Sequence, residues 1–226
     1  MRLLLLRHGQ THSNVSGALD TGLPGADLTD LGRAQAQAAG EVLSERSIDA
    51  IYCSTLVRTQ QTAAPLAERL GLRPTILEGL RELSAGDLEM RTDTDSGLAY
   101  QDVLVKWLLE GDLEARLPGG ESADNFLSRF DTAVEEIRAA GHRTVLVVSH
   151  GAAIRTWVGL RHAAEPADRW QQQATERLHN TGCIELTLEE SVGEASWQVV
   201  AWHNHPVGGH LLEDDSAPDP TADAPA

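Results

Sequence analysis

The sequence predicts an α/β fold, a three-layer αβα sandwich around a mostly parallel central sheet. Two apolar runs of strand length, Leu3-Leu4-Leu5-Leu6 and Thr144-Val145-Leu146-Val147-Val148, each lead within two residues into a His-Gly pair, His8-Gly9 and His150-Gly151. Continuous apolar runs of this kind read as strands buried on both faces. Between and around them strand-like and helix-like stretches alternate, which requires crossover connections and helices on both sides of the sheet. In such sheets ligands bind beyond the carboxyl ends of the strands. Both imidazoles are therefore expected at one cleft, with the fixed charge of Arg7 beside them and Gly9 allowing a ligand close to the backbone.

Taken in order, residues 2–7 form the first strand. Residues 11–28 form a Gly-rich loop that turns sharply at Thr21-Gly22-Leu23-Pro24-Gly25. Thr29 caps a helix of about 17 residues, in which Leu31, Ala34, Ala38 and Val42 recur at helical spacing. Ala50-Ile51-Tyr52-Cys53 is a second buried strand, Leu56 to Leu70 a helix stopped by Gly71, and Pro74 to Leu77 a short strand. Residues 84–121 are acidic and irregular, with a helix near residues 98–110 and a turn at Pro118-Gly119-Gly120. Ser122 starts a helix reaching about Ala140, with Asp124 favourably placed in its first turn. A strand at 144–148, a helix at 152–160 and two late strands, 183–188 and 197–202, complete the domain. The late pair lacks an intervening helix and is expected as antiparallel additions at one edge. Residues 1–212 form one catalytic domain. Residues 213–226, made of Asp, Glu, Pro, Ala, Ser and Thr, are expected to be a disordered acidic tail, since they bury too little surface to offset their ordering entropy.

The 226 residues suffice for one sizeable core. A formal net charge of −16 argues against nucleic acid or an anionic membrane as partner. Lys106 is the only lysine, so arginine supplies nearly all the positive charge. No stretch is long and apolar enough to span a bilayer, and the first Leu run is too short for a signal peptide. Cys53 and Cys183 lack metal-type spacing and read as reduced core thiols of a cytoplasmic protein. Trp107 and Trp170 are assigned to core space.

Five motifs occur in one order over roughly residues 1–160. They are Leu6-Arg7-His8-Gly9-Gln10-Thr11 with Asn14, the stretch Ser54 to Ala63, Leu80-Arg81-Glu82-Leu83 with Gly86, Gly119-Gly120-Glu121-Ser122, and Val148-Ser149-His150-Gly151. In these the chain resembles the histidine phosphatase superfamily, in its phosphoglycerate mutase-like branch. The resemblance implies a phosphoglycerate mutase-like sandwich and a phosphohistidine mechanism on a small phosphorylated metabolite, with no cofactor. His8 would be the nucleophile, its second ring nitrogen held by backbone. Arg7 and Arg58 would grip phosphate oxygens with planar forks. His150 would donate to the transferring oxygens, preferably as imidazolium, and Glu82 would be the general acid. Glu121, Asp87 and Glu89 are rival acids. Asn14 leads the neutral donors, followed by Gly9, Gln10 and Thr11. Thr21, Gly22 and Gly151 are candidate substrate contacts, and a plain turn is the competing reading of Thr21-Gly22.

The pattern departs from the family at Leu88 and Met90, where many members carry an aromatic and a glycine. It departs again at His203-Asn204-His205-Pro206 and His210-Leu211, which only loosely match the closing motif. The spacing of these three histidines fits no helical or zinc-finger pattern, so no metal site is expected. A phosphomonoester hydrolase is favoured over a mutase, because only Arg91, Lys106 and Arg116 lie between Glu82 and Arg129 among many acids. A non-catalytic phosphate-binding protein is disfavoured because all five chemical residues are present. Specificity is assigned to residues 15–28, 84–121 and 162–180. Assembly as a homodimer is left open.

Overall fold

The computed structural model describes residues 1–162, 173–191, 194–216 and 218–223. Among the described residues six strands form one sheet: β1 (Arg2–Arg7), β2 (Ala50–Cys53), β3 (Thr75–Ile76), β4 (Thr144–Ser149), β5 (Cys183–Ser191) and β6 (Glu194–His203), in the spatial order β3-β2-β4-β1-β5-β6. The first four are mutually parallel, while β5 and β6 join antiparallel at the β1 edge. The sheet is thus mostly parallel, with the antiparallel additions expected of two late strands lacking a helix between them.

Alternation along each strand sorts the side chains onto two faces. Leu4, Leu6, Ile51, Cys53, Leu146 and Val148 pack beneath α2 (Asp30–Leu43) and α3 (Val57–Leu70). Leu3, Leu5, Val145, Val147 and Ile184 face the opposite layer, built by α4 (Thr94–Val105), α5 (Ala123–Ala139) and α6 (Gly151–His162). Burying a Leu, Val or Phe side chain contributes about 1.5–3 kcal/mol, so these two layers dominate stability. Trp107 belongs to the second layer, and its Nε1 donates to the Ala115 carbonyl; Trp170 lies outside the described residues.

The caps sit where the sequence puts them. Thr29 accepts from Gly32 N at the start of α2, Ser122 from Asn125 N at the start of α5, and Gly71 takes a left-handed conformation after α3. Two local differences have simple causes. The stretch 11–28 contains a short helix, α1 (His12–Ser16), closed by reciprocal bonds between Thr11 and Asn14 and too brief to leave a periodic pattern. α4 starts at Thr94 because Asp93 caps it, and it continues as a π-helical turn over Lys106–Glu110.

The C-terminal segment differs more. Its composition predicts an unpacked tail, yet residues 213–216 and 218–223 lie against the body. Asp219 is buried and ion-paired with Arg7, Thr221 Oγ1 donates to Asp219, the Ala222 carbonyl accepts from Leu178 N, and Asp223 meets Arg177. A few specific polar contacts hold a segment whose apolar content alone would not.

Candidate active site

β1 and β4 are adjacent and parallel, with Arg7 in register with Ser149. The next residue of each, His8 and His150, therefore leaves the sheet at the same edge. Their ring centroids are 5.2 Å apart, edge to face at 63°. β2, on the other side of β4, ends beside Ser54, whose Oγ lies 2.7 Å from His150 Nε2. The first turn of α3 then supplies Arg58. None of Arg7, His8, Arg58 and His150 is more than 3% exposed.

The hydrogen bonds of His8 fix its tautomer. Nδ1 lies 2.8 Å from the Gly9 carbonyl, which can only accept, and Nε2 lies 3.0 Å from Arg58 Nε, which can only donate. Nδ1 therefore carries the proton and Nε2 a lone pair. Burial, with Arg58 and Arg7 beside it, holds the His8 imidazole well below its usual pKa, so the ring is neutral. His150 is pushed down in the same way, first by burial and then by Arg58 and His8. This corrects the expected imidazolium: a third cation buried beside two guanidiniums is electrostatically disfavoured.

The arginines are only partly satisfied. Arg7 Nη1 donates to the Leu178 carbonyl at 2.7 Å, and Nη2 holds the Asp219 carboxylate. Arg58 Nη2 donates to the Asp20 carbonyl at 2.8 Å. Arg7 Nε, Arg58 Nη1 and His150 Nδ1 are buried without a hydrogen-bond partner among the described residues, the Asp20 carboxylate standing 3.6 Å from Arg58 Nη1. Buried polar groups are usually paired, and guanidinium and imidazole groups left over around one histidine suit an oxyanion.

Glu82 is buried, its Oε1 accepting from Leu83 N at 2.9 Å and Ala153 N at 2.8 Å and its Oε2 from Ala152 N at 3.3 Å. It thus sits on the first turn of the helix that follows His150. Burial raises its pKa, although these bonds and the charges of Arg58 and Arg7 pull the other way. The rival acids are engaged elsewhere. Glu121 pairs with Arg129 at 2.6 Å, and Arg129 also donates to the carbonyls of Gly79, Arg81 and Glu82. Glu89 accepts from the backbone N–H of both Thr21 and Gly22 at 2.9 Å. The Asp87 carboxylate lies against Gly119.

Thr21 and Gly22 thus line a cleft of about 510 Å³ with Arg81, Glu82, Asp87 and Glu121, their amides already holding a carboxylate. Asn14 is buried in the α1 cap, where its Oδ1 accepts from Thr11 N at 2.9 Å. Gln10 bonds to Thr29 and Asp214 instead of facing His8. Gly9 is required for a different reason from the one expected: a Cβ there would stand 2.6 Å from the Gly32 carbonyl oxygen. At Gly151 a Cβ would meet the Thr221 carbonyl oxygen at 2.9 Å, so the C-terminal segment passes directly over the start of α6.

Sequence reasoning did not single out several supporting residues. Asn180 Nδ2 donates to the His8 carbonyl at 3.0 Å, Thr62 Oγ1 accepts from Gly9 N at 2.9 Å, and Ser54 engages His150. Ser54 and Thr62 lay inside a quoted motif, whereas Asn180 carried no local signal. Asp219 is the largest surprise, because it occupies the guanidinium that the resemblance gives to a phosphate.

The whole arrangement has known counterparts. The chain matches the model of the histidine phosphatase superfamily (branch 1) over residues 3–205, and it belongs to that superfamily. It is 32% identical to glucosyl-3-phosphoglycerate phosphatase of Mycolicibacterium vanbaalenii, over 92% of this chain and 87% of that protein. It is 33% identical to a probable phosphoglycerate mutase, GpmB, of Salmonella choleraesuis, over 88% of this chain and 91% of that one. A solved mycobacterial glucosyl-3-phosphoglycerate phosphatase complexed with VO3 superposes with a TM-score of 0.71 at 30% identity, covering 89% of this chain and 98% of that one. The family and these relatives define phosphatase- or mutase-type phosphoryl transfer. Among the described residues, no helix is long and apolar enough to cross a membrane.

Proposed function

We propose that this chain is a metal-independent phosphomonoester hydrolase that works through a phosphohistidine on His8, acting on a small phosphorylated metabolite. The observation that carries the reading is the His8 lone pair: Nε2 is unprotonated, oriented by Nδ1–H to the Gly9 carbonyl, and surrounded by Arg7, Arg58 and His150. Nε2 attacks phosphorus in line, and the bond from phosphorus to the ester oxygen breaks. The leaving alkoxide takes a proton from Glu82, whose raised pKa suits a general acid. The resulting Glu82 carboxylate then accepts a proton from the water that attacks the phosphohistidine. Arg7, Arg58 and neutral His150, as donor, stabilise the charge on the three equatorial oxygens. Asn14, Gly9 and Gly151 border this phosphate subsite, and Thr21 and Gly22 lie on the substrate side.

Hydrolysis is favoured over mutase chemistry by the cleft beside Glu82. Arg81 is the one cation among its described lining residues, against the carboxylates of Asp87 and Glu89, while Glu121 is paired with Arg129, so a second phosphate finds little attraction there. The name of the relative places phosphorylated sugar acids first in a substrate panel, alongside simple sugar and glycerol phosphates. Two buried free thiols agree with a reducing, cytoplasmic setting. The test is a panel of phosphomonoesters assayed for released phosphate and for positional isomers, with and without chelator. Stoichiometric phosphate release unaffected by chelation is expected, and accumulation of an isomeric phosphoester would move the protein to the mutase class.

A further inference from the structure

A second group of ionisable side chains lies outside the catalytic pocket. His205 and His210 both turn Nδ1 toward one oxygen, Glu213 Oε1, at 2.8 and 2.6 Å. The His205 ring also neighbours His179, nearly parallel with centroids 5.4 Å apart, and His210, with centroids 4.5 Å apart. One donor atom from each of His179, His205 and Glu213 lies within 4.8 Å of the other two. Asp215 Oδ1 stands 3.6 Å from His179 Nδ1. These residues come from two stretches, His179 before the β5–β6 hairpin and His205 to Asp215 after it, and only the fold brings them together.

Two imidazoles converge on the Glu213 carboxylate and a third stands close by, and a bound cation would take the place of the protons that His205 and His210 share with Glu213. Two or three imidazole nitrogens with a carboxylate oxygen make the donor set of a borderline cation, whereas Mg²⁺ and Ca²⁺ favour oxygen ligands alone. Cys183 lines the adjoining groove, where burial pushes its thiol up to about 12. Zinc binds nitrogen and carboxylate oxygen at about 2.0–2.2 Å, which puts tetrahedral donors roughly 3.4 Å apart. The His179, His205 and Glu213 donors, within 4.8 Å of one another, would have to draw together to reach that spacing, and the exposed side chains of His205 and His210 leave room for that adjustment.

We propose that His179, His205 and Glu213 bind a divalent cation of the zinc class, with His210 completing a tetrahedral set. The site is independent of the phosphatase reading and takes no part in the chemistry at His8. Its location gives it a structural consequence. Glu213 stands at the root of the segment that carries Asp219 onto Arg7, and His179 precedes Asn180, which bonds the His8 carbonyl. A bound ion ties these two segments together.

The test uses the full chain, stripped with chelator, titrated with Zn²⁺ against a chromophoric chelator and, separately, with Co²⁺. One Zn²⁺ per chain is expected, bound at least about 100-fold more tightly than by H205A or E213Q. Co²⁺ should give the intense visible absorption of a four-coordinate site. H203A, which alters an exposed neighbour outside the set, should bind like the unaltered protein. His205 is exposed, so its loss does not threaten the fold. Sub-stoichiometric Zn²⁺, a Co²⁺ spectrum of octahedral type, undiminished binding by H205A, or equal weakening by H203A would each overturn the assignment.

Discussion

Asp219 and an oxyanion compete for Arg7, and changing Asp219 to Asn should release that competition. Arg7 Nη2 holds the Asp219 carboxylate in a fully buried pair, and Thr221 adds a hydrogen bond at 2.8 Å. Burial by itself would raise the pKa of Asp219, but the charge and hydrogen bond of Arg7 outweigh it, so the carboxyl is held below its usual value and is ionised at neutral pH. Removing one partner of a buried pair costs about 3–5 kcal/mol. Asn keeps the shape and an acceptor oxygen, so the lower end, about 3 kcal/mol, applies to docking of the segment. A segment docked by a net of about 2 kcal/mol weakens apparent oxyanion binding roughly 30-fold, because only the undocked fraction binds. Asp219→Asn, and truncation after Ser216 as an independent arm, should both recover that factor. The assay is calorimetric titration with vanadate or inorganic phosphate. Unchanged or weaker binding in both variants would refute the competition and make Asp219 a plain structural anchor.

Other outcomes follow from the same geometry. Glu82→Gln should lower turnover of alkyl phosphates, which leave as basic alkoxides, by about 100-fold or more, and spare nitrophenyl phosphate; an equal loss for both esters would shift the acid to Glu121 or Asp87. His8 and His150 have lowered pKa values in the fold, and burial lowers His162 to about 4. The unfolded chain therefore takes up protons first, so their contribution is complete above about pH 6.5 and is lost as pH falls toward the lowered values. The thermal midpoint should decline steadily from pH 6.5 to pH 5, and a flat midpoint over that range would contradict the neutral buried imidazoles. Arg129→Met removes the donor to the Gly79, Arg81 and Glu82 carbonyls; kcat on alkyl phosphates should fall with vanadate affinity unchanged, and a parallel loss of vanadate affinity would place Arg129 at the phosphate instead.

The strands β1 and β4 were legible because they are continuous apolar runs, whereas the insertion of β4 between β2 and β1 is a crossover that no local pattern encodes. That placement alone puts His8 beside His150. Arg58 and Glu82 needed the motif order, since an arginine in a helix and a glutamate in a loop carry no periodic signal of their own. The tautomer of His8 depends on Gly9 and Arg58 approaching within a hydrogen bond, which no sequence pattern encodes. Asp219 was hidden for a different reason. Composition rules average over a segment, and a single carboxylate meeting a buried guanidinium is invisible to an average. His179 was likewise separated from His205 and Glu213 by the whole β5–β6 hairpin.

The central claim is that His8 Nε2 carries the phosphoryl group during turnover. Rapid quench of the protein with a ³²P-labelled phosphomonoester, followed by mapping of the labelled peptide, tests it most directly. Acid-labile, base-stable phosphate on the peptide containing His8 is expected, absent in His8→Ala, with His8→Asn still binding vanadate. Substantial turnover by His8→Ala, or label on another residue, would contradict the account.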